Sequence, residues 1–308
     1  MSLLVIGTVA FDSIETPYGK ADHVIGGSGT YISWAASYFH KPVMVQGIIG
    51  EDFPEDEIHQ LNERGVITEG IERVPGKKSF YWAGKYHDNM NARDTLVTDL
   101  NVLADFNPVL PKAYKDSEYI MLGNLTPDIQ MSVIQQMNTR PKLIALDTMN
   151  FWMDVAKDSL LNVIKNIDVL TLNEEEARQL SGEYSLVKAA QKIFSMGPKY
   201  LIIKKGEHGA LLFHENHIFF APALPLAQVF DPTGAGDTFA GGFMGYIARH
   251  GVISFDHMKR AVIYGSALAS FCVEDFSINR LKTLDAQQIK ERVKKFIELV
   301  RFDSDISE

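Results

Sequence analysis

Short apolar runs of strand length alternate with segments of helical periodicity along most of the chain. The runs fall at residues 3–9, 43–49, 119–122, 143–146, 169–172 and 200–203. Helical patterns lie between them at 29–39, 55–63, 128–137, 154–164, 174–180 and 185–194. Runs with no alternating polar face belong to strands covered on both sides, so the pattern predicts an α/β fold: a mostly parallel sheet with helices on both faces. After residue 203 the order changes. Residues 209–213 and 217–220, separated by His214-Glu215-Asn216, read as an antiparallel hairpin, and 237–249, 255–271 and 286–301 as helices.

One region falls outside this alternation. Residues 79–87 (SFYWAGKYH) and 95–100 have strand propensity but no crossover helix of their own. With the segment 13–25, the segment 77–101 reads as a small sheet inserted at the edge of the core. Such an insertion is placed to close as a lid and exclude water, or else is a decorative hairpin.

Composition then narrows the class. The chain has 308 residues, 46% hydrophobic and 22% charged, enough for one large core or two small ones. Thirty Lys and Arg against 39 Asp and Glu give a net charge of −9, which argues against a broad basic face for nucleic acid. The single cysteine, Cys272, excludes an intrachain disulfide and a Cys-based zinc cluster. No long apolar run or signal peptide is evident, so the expected location is cytoplasmic, with no membrane partner. The one short charged tail is at 303–308.

The most informative segment is Asp231-Pro232-Thr233-Gly234-Ala235-Gly236-Asp237-Thr238-Phe239. Two glycines around a small residue at the start of a helix let consecutive backbone N–H groups converge on an anion at the helix's positive end. Asp237 follows in the first turn, where a carboxylate can accept a proton from a hydroxyl held beside that anion. A base next to an anion hole suits phosphoryl transfer to an alcohol. An N-terminal helix aspartate after an ordinary glycine turn is the plainer alternative.

The longer segment resembles the signature of the PfkB (ribokinase-like) family of carbohydrate and nucleoside kinases, with Pro232 where the family usually has threonine. Five further segments match in order, one of them 61–71 (LNERGVITEGI), similar to the pattern in which Gly-Val-x-Thr precedes the lid. Gly26-Gly27-Ser28-Gly29 is similar to the N-terminal Gly-Gly signature, and Gly47-Ile48-Ile49-Gly50-Glu51-Asp52-Phe53 to the Gly-x-x-Gly-x-Asp-x-Phe turn. Asn173-Glu174-Glu175-Glu176 resembles Asn-x-x-Glu, and Lys204-Lys205-Gly206-Glu207-His208-Gly209 the segment along the nucleotide phosphates.

The resemblance implies a ribokinase-like three-layer sandwich over residues 1–308, with a mostly parallel central sheet and a small β lid. It implies ATP and Mg2+ as cofactors, Asp237 as general base, and Gly234, Ala235 and Gly236 as the anion hole. Asp12, Gly26, Gly27 and Tyr31 would meet the acceptor, Tyr31 standing where sugar kinases usually have asparagine. Asn173, Lys204, Gly206 and Gly209 would meet the nucleotide. Asn173 and Glu176 would organise magnesium, directly or through water. Asp231 and Thr233 would bind a monovalent cation such as K+.

Other chemistries lose their support. There is no G-x-x-x-x-G-K-[ST], no G-x-G-x-x-G after the first strand, no H-E-x-x-H and no G-x-S-x-G. Phe11, Asp12, Tyr31, Trp34, Phe80, Trp82 and Tyr86 are candidate pocket residues. So aromatic a set raises nucleosides among the small-molecule acceptors, although packing explains many such rings. A sugar phosphate would want a cationic clamp, for which Lys20, Lys85 and Arg93 are loose candidates. The expected activity is phosphorylation of a hydroxymethyl group of a sugar or nucleoside. A non-catalytic sensor with the same cleft is the alternative, and a homodimer paired through the lid is compatible with either.

Overall fold

The computed structural model describes residues 1–301. The short tail read at 303–308 lies outside the described residues. The chain forms strands β1 (Leu3–Ile6), β2 (Ala10–Thr16), β3 (Gly19–Gly26), β4 (Val43–Gly50), β5 (Val66–Val74), β6 (Tyr81–Tyr86) and β7 (Arg93–Asp99), with helices α1 (Ser28–Ala36) and α2 (Glu55–Glu63) among them. Next come β8 (Tyr119–Leu122), α3 (Pro127–Gln135), β9 (Leu143–Asp147), α4 (Asn150–Val155), α5 (Lys157–Ile164), β10 (Val169–Asn173), α6 (Glu174–Ser181), α7 (Leu186–Phe194) and β11 (Tyr200–Lys204). The hairpin β12 (Ala210–His214) and β13 (His217–Ala221) precedes α8 (Ala235–His250), α9 (Phe255–Cys272), α10 (Asn279–Lys282) and α11 (Ala286–Val300).

Nine strands make one sheet in the order β13-β12-β11-β10-β9-β8-β1-β4-β5, parallel from β11 to β5 and antiparallel through the hairpin. Strand alternation divides its side chains between two cores. Leu3 and Val5 face a cluster with Tyr31, Phe243 and Leu268 from α1, α8 and α9. Leu4 and Ile6 face a second cluster with Val133, Val163, Ala177 and Ile193 from α3, α5, α6 and α7. This is the expected three-layer architecture.

A second sheet of four strands, β3-β2-β6-β7, forms the lid. It is mixed: β2 pairs with β6 in parallel, Phe11 opposite Tyr81, while its outer pairs are antiparallel.

The structure corrects several boundaries. The apolar run at 3–9 is not one strand; β1 ends at Ile6, and the chain enters the lid at Ala10, earlier than 13. Residues 66–74 form a ninth strand at the parallel edge, where no strand was expected. The helix expected at 154–164 is two, α4 and α5, broken at Ala156, whose φ of −144° is not helical.

Parallel order brings the C-terminal ends of β1, β8, β9, β10 and β11 to one edge of the sheet. Thr8, Asn124, Thr148, Asn173 and Lys204 therefore border one cleft beneath the lid, with a volume of about 1730 Å³.

Candidate active site

The first turn of α8 forms the floor of the cleft. Gly234 caps this helix with φ +74°, and the ring of Tyr31 lies against it so closely that a Cβ would fall 2.4 Å from ring carbons. Only glycine fits both demands. Ala235 N–H donates to Pro232 O at 3.2 Å, whereas Gly236 and Asp237 N–H have no backbone acceptor among the described residues. The anion hole expected from three consecutive amides thus keeps two uncommitted donors at the positive end of a 16-residue helix.

Asp237 borders the cleft beside them. Burial pushes its carboxyl up to about 7, helped by the charge of Asp147 and opposed by Lys204 and Arg93. Asp12 behaves alike: burial, then Asp231 and Asp237, push it up to about 7, against a hydrogen bond from the Gly27 backbone. Its carboxylate lies over Gly26, where a Cβ would fall 2.0 Å from Oδ2. Gly26 makes room for Asp12 rather than lining the cleft, while Gly27 borders it.

Tyr31 is 1% exposed. Its ring lies against Gly234 and borders the cleft, and its hydroxyl has no hydrogen-bond partner among the described residues. Burial, with Cys272 and Asp231 nearby, holds this phenol well above its ordinary pKa, so it stays neutral. Of the other aromatic candidates, Phe80, Trp82 and Tyr86 border the cleft. Phe11 and Trp34 do not: Phe11 stacks on His23 at 4.0 Å, and Trp34 packs in the core under Arg64.

Across the cleft, Lys204 Nζ lies 2.6 Å from Asp147 Oδ1, and the Thr171 hydroxyl donates to the same oxygen. Burial lowers the pKa of Lys204, but Asp147 and Glu176 outweigh it and hold the ammonium above its ordinary value. Asn173 and Glu176 form a reciprocal cap on α6: Glu176 N donates to Asn173 Oδ1 at 2.8 Å, and Asn173 N to Glu176 Oε2 at 2.7 Å. Burial, aided by Asp147, pushes Glu176 up to about 7.

Among the described residues no group of three acidic, His or Cys side chains is arranged to cage a metal. A buried carboxylate with one oxygen outside the cap suits an ion that keeps water and phosphate ligands, as magnesium does. Gly206 and Gly209 close the turn after β11 and border the cleft.

Asp231 is 1% exposed and does not border the cleft. It accepts from Thr233 N at 2.8 Å and Ser277 N at 3.2 Å, and burial raises it to about 6. Thr233 donates to Tyr86 OH of the lid at 3.1 Å.

Some cleft residues were given no role by the sequence. Asp147 is one: the segment 146–152 (LDTMNFW) resembles the family's Asp-containing mid-chain motif, and Asp147 closes the apolar run LIALD, a strand-end position that is itself a signal in a parallel sheet. Asn91, at the turn between β6 and β7, reaches Gly206 across the cleft, its Oδ1 lying 2.7 Å from where a Cβ would stand. Arg93, a loose clamp candidate from the sequence, does border the cleft, its guanidinium 5.5 Å from the centroid of the Trp82 ring.

A family model described as pfkB family carbohydrate kinase matches residues 2–283. A cytidine kinase of Thermococcus kodakarensis is 27% identical over 81% of this chain and 89% of its own length. A structure described as a putative ribokinase II of E. coli superposes with a TM-score of 0.80 at 20% identity, covering 97% of this chain and 99% of that one. The same protein in complex with ATP and Mg2+ gives 0.78 at 19% identity, with the same coverage.

Proposed function

The chain belongs to the pfkB family of carbohydrate kinases, and from that premise we propose that it transfers the γ-phosphoryl group of ATP to a hydroxymethyl group of a sugar or nucleoside, with Asp237 as general base. The first turn of α8 carries this reading: a carboxylate pushed up to about 7 stands beside two uncommitted amides at the positive end of a helix. A base needs a pKa near the working pH, and a transferring phosphoryl group needs donors that are already in position.

Asp12, fixed over Gly26 by the Gly27 amide, accepts hydrogen bonds from acceptor hydroxyls and orients the sugar. Asp237 takes the hydroxymethyl proton as its oxygen attacks. The Gly236 and Asp237 amides and the helix dipole hold the charge on the phosphoryl oxygens. Lys204, held by Asp147, neutralises the same group from the nucleotide side, which Asn173, Gly206 and Gly209 border. Glu176 and Asn173 would hold magnesium through its waters, and magnesium supplies charge neutralisation on the phosphates. The lid excludes water through Phe80 and Trp82. Asp231 and Thr233 hold the turn and the lid, and they are the residues that would meet a monovalent cation such as K+.

Asp237→Asn should keep ATP binding and lower turnover by about 10²–10⁴. Near-normal turnover in that variant would remove the mechanism. A sensor without catalysis would consume no ATP even as the wild type, with any acceptor.

A further inference from the structure

The cleft extends past the phosphate turn into an annex over the ends of β8 and β9. Its walls are Leu100 and Leu103 from the segment leaving the lid, Leu125 and Ile129 at the start of α3, and Phe151 and Trp152 on α4. Phe151 and Leu100 are 49% and 50% exposed, large apolar surfaces left open inside a cleft rather than scattered over the outside. The Phe151 and Trp152 rings meet edge to face at 4.9 Å, and Asn124 fixes the indole by accepting from Trp152 Nε1 at 2.8 Å.

Polar groups are sparse and poorly satisfied. The Asn124 amide donates to Met149 Sδ at 3.1 Å, a weak acceptor. The Thr148 hydroxyl, on a residue 4% exposed that borders the cleft, has no partner among the described residues. None of these six wall side chains is charged, and the cations bordering the cleft among the described residues, Arg93 and Lys204, stand on β7 and β11, so the walls themselves offer an anionic group no clamp.

We propose that this annex receives the flat base of a ribonucleoside acceptor, and that Phe151 and Trp152 set the selectivity of the kinase for nucleosides over free pentoses. The proposal rests on the kinase reading given above. A pentose carries hydroxyls around its whole ring and gains little from an apolar wall. A nucleobase presents two apolar faces and a polar edge, and needs aromatic surface with one or two donors or acceptors at its rim. Asn124 and Thr148 are those rim groups, and Asp12 remains for the ribose hydroxyls.

The test is turnover of ATP by the full-length protein with cytidine, uridine, adenosine, inosine and D-ribose, together with calorimetric binding of each compound without ATP. The expected result is a nucleoside kcat/KM at least about 100-fold above that of ribose, with the ratio reduced about tenfold by Phe151→Ala. Trp152→Phe, which keeps an aromatic ring in place, should reduce it less. Equal use of ribose and nucleosides, or a Phe151→Ala ratio equal to wild type, overturns the annex and leaves the kinase standing. Nucleosides that bind while no compound is phosphorylated overturn the kinase reading and keep the annex. Absence of both binding and turnover overturns both.

Discussion

Burial raises both Asp12 and Asp237, and the charge of Asp237 adds to the cost of ionising Asp12 inside one cleft. In the proposed mechanism Asp237 must be ionised to accept a proton, and Asp12 must be ionised to accept two hydroxyls. The acid limb of kcat/KM should therefore fall around pH 7 with a slope steeper than one proton, and Asp12→Asn should return it to a single-proton slope at a lower rate. A limb centred near the ordinary carboxylate pKa of about 4 would contradict this. Stability moves with the same groups. Between the unfolded pKa near 3.8 and the folded value near 7, the folded chain keeps a proton that the unfolded chain has released, so stability falls as pH rises through that window. Asp237→Asn should thus be more stable than wild type at about pH 8, by about 1–3 kcal/mol, in a thermal melt. An equal or lower Tm would show that the carboxylate is not held at a cost. Asp237 was legible as a candidate because the glycine turn beside it is made of its immediate neighbours. Asp147 was legible only as part of a motif, without a role, because its partners Thr171 and Lys204 lie 24 and 57 residues away and meet it only across a parallel sheet.

Elements were legible where pairing is local or burial is uniform. The β12–β13 hairpin and the fully buried β1, β8 and β9 follow from turn residues and unbroken apolar runs. β5 hides because it is an edge strand: VITEGIERV interleaves charge with its apolar positions, and charge along an edge protects it from pairing with another chain. The lid hides its topology for another reason. β2 and β6 are far apart in sequence and pair in parallel, which no turn signal encodes. The lid's link to the phosphate turn is equally nonlocal, the hydrogen bond from Thr233 to Tyr86 OH at 3.1 Å. Tyr86→Phe keeps the ring and removes that bond, so lid closure should weaken, with the acceptor KM rising about two- to tenfold and ATP binding little changed. An unchanged acceptor KM would mean that the contact does not hold the lid.

At the scale of the whole molecule, the net charge of −9 sets the far field that an incoming nucleotide meets, while the cleft sets the near one. Asp12, Asp88, Asp147, Glu176, Glu207 and Asp237 border the cleft against Lys204 and Arg93, so its own side chains add no positive excess. What the cleft offers a phosphate is short in range: two amides, a helix dipole and an ammonium already shared with Asp147. Short-range donors are little screened once the ligand is seated, whereas repulsion between an acidic protein and an anionic magnesium nucleotide acts over a distance that salt shortens to about 10 Å at 0.1 M. Raising ionic strength from about 10 mM to about 150 mM should therefore raise kcat/KM for the nucleotide, by about two- to fivefold, at fixed excess magnesium. A site built on a broad basic field would lose nucleotide affinity over the same range. A fall in kcat/KM with salt would place the steering charge in the cleft itself, with Arg93 as the first residue to substitute.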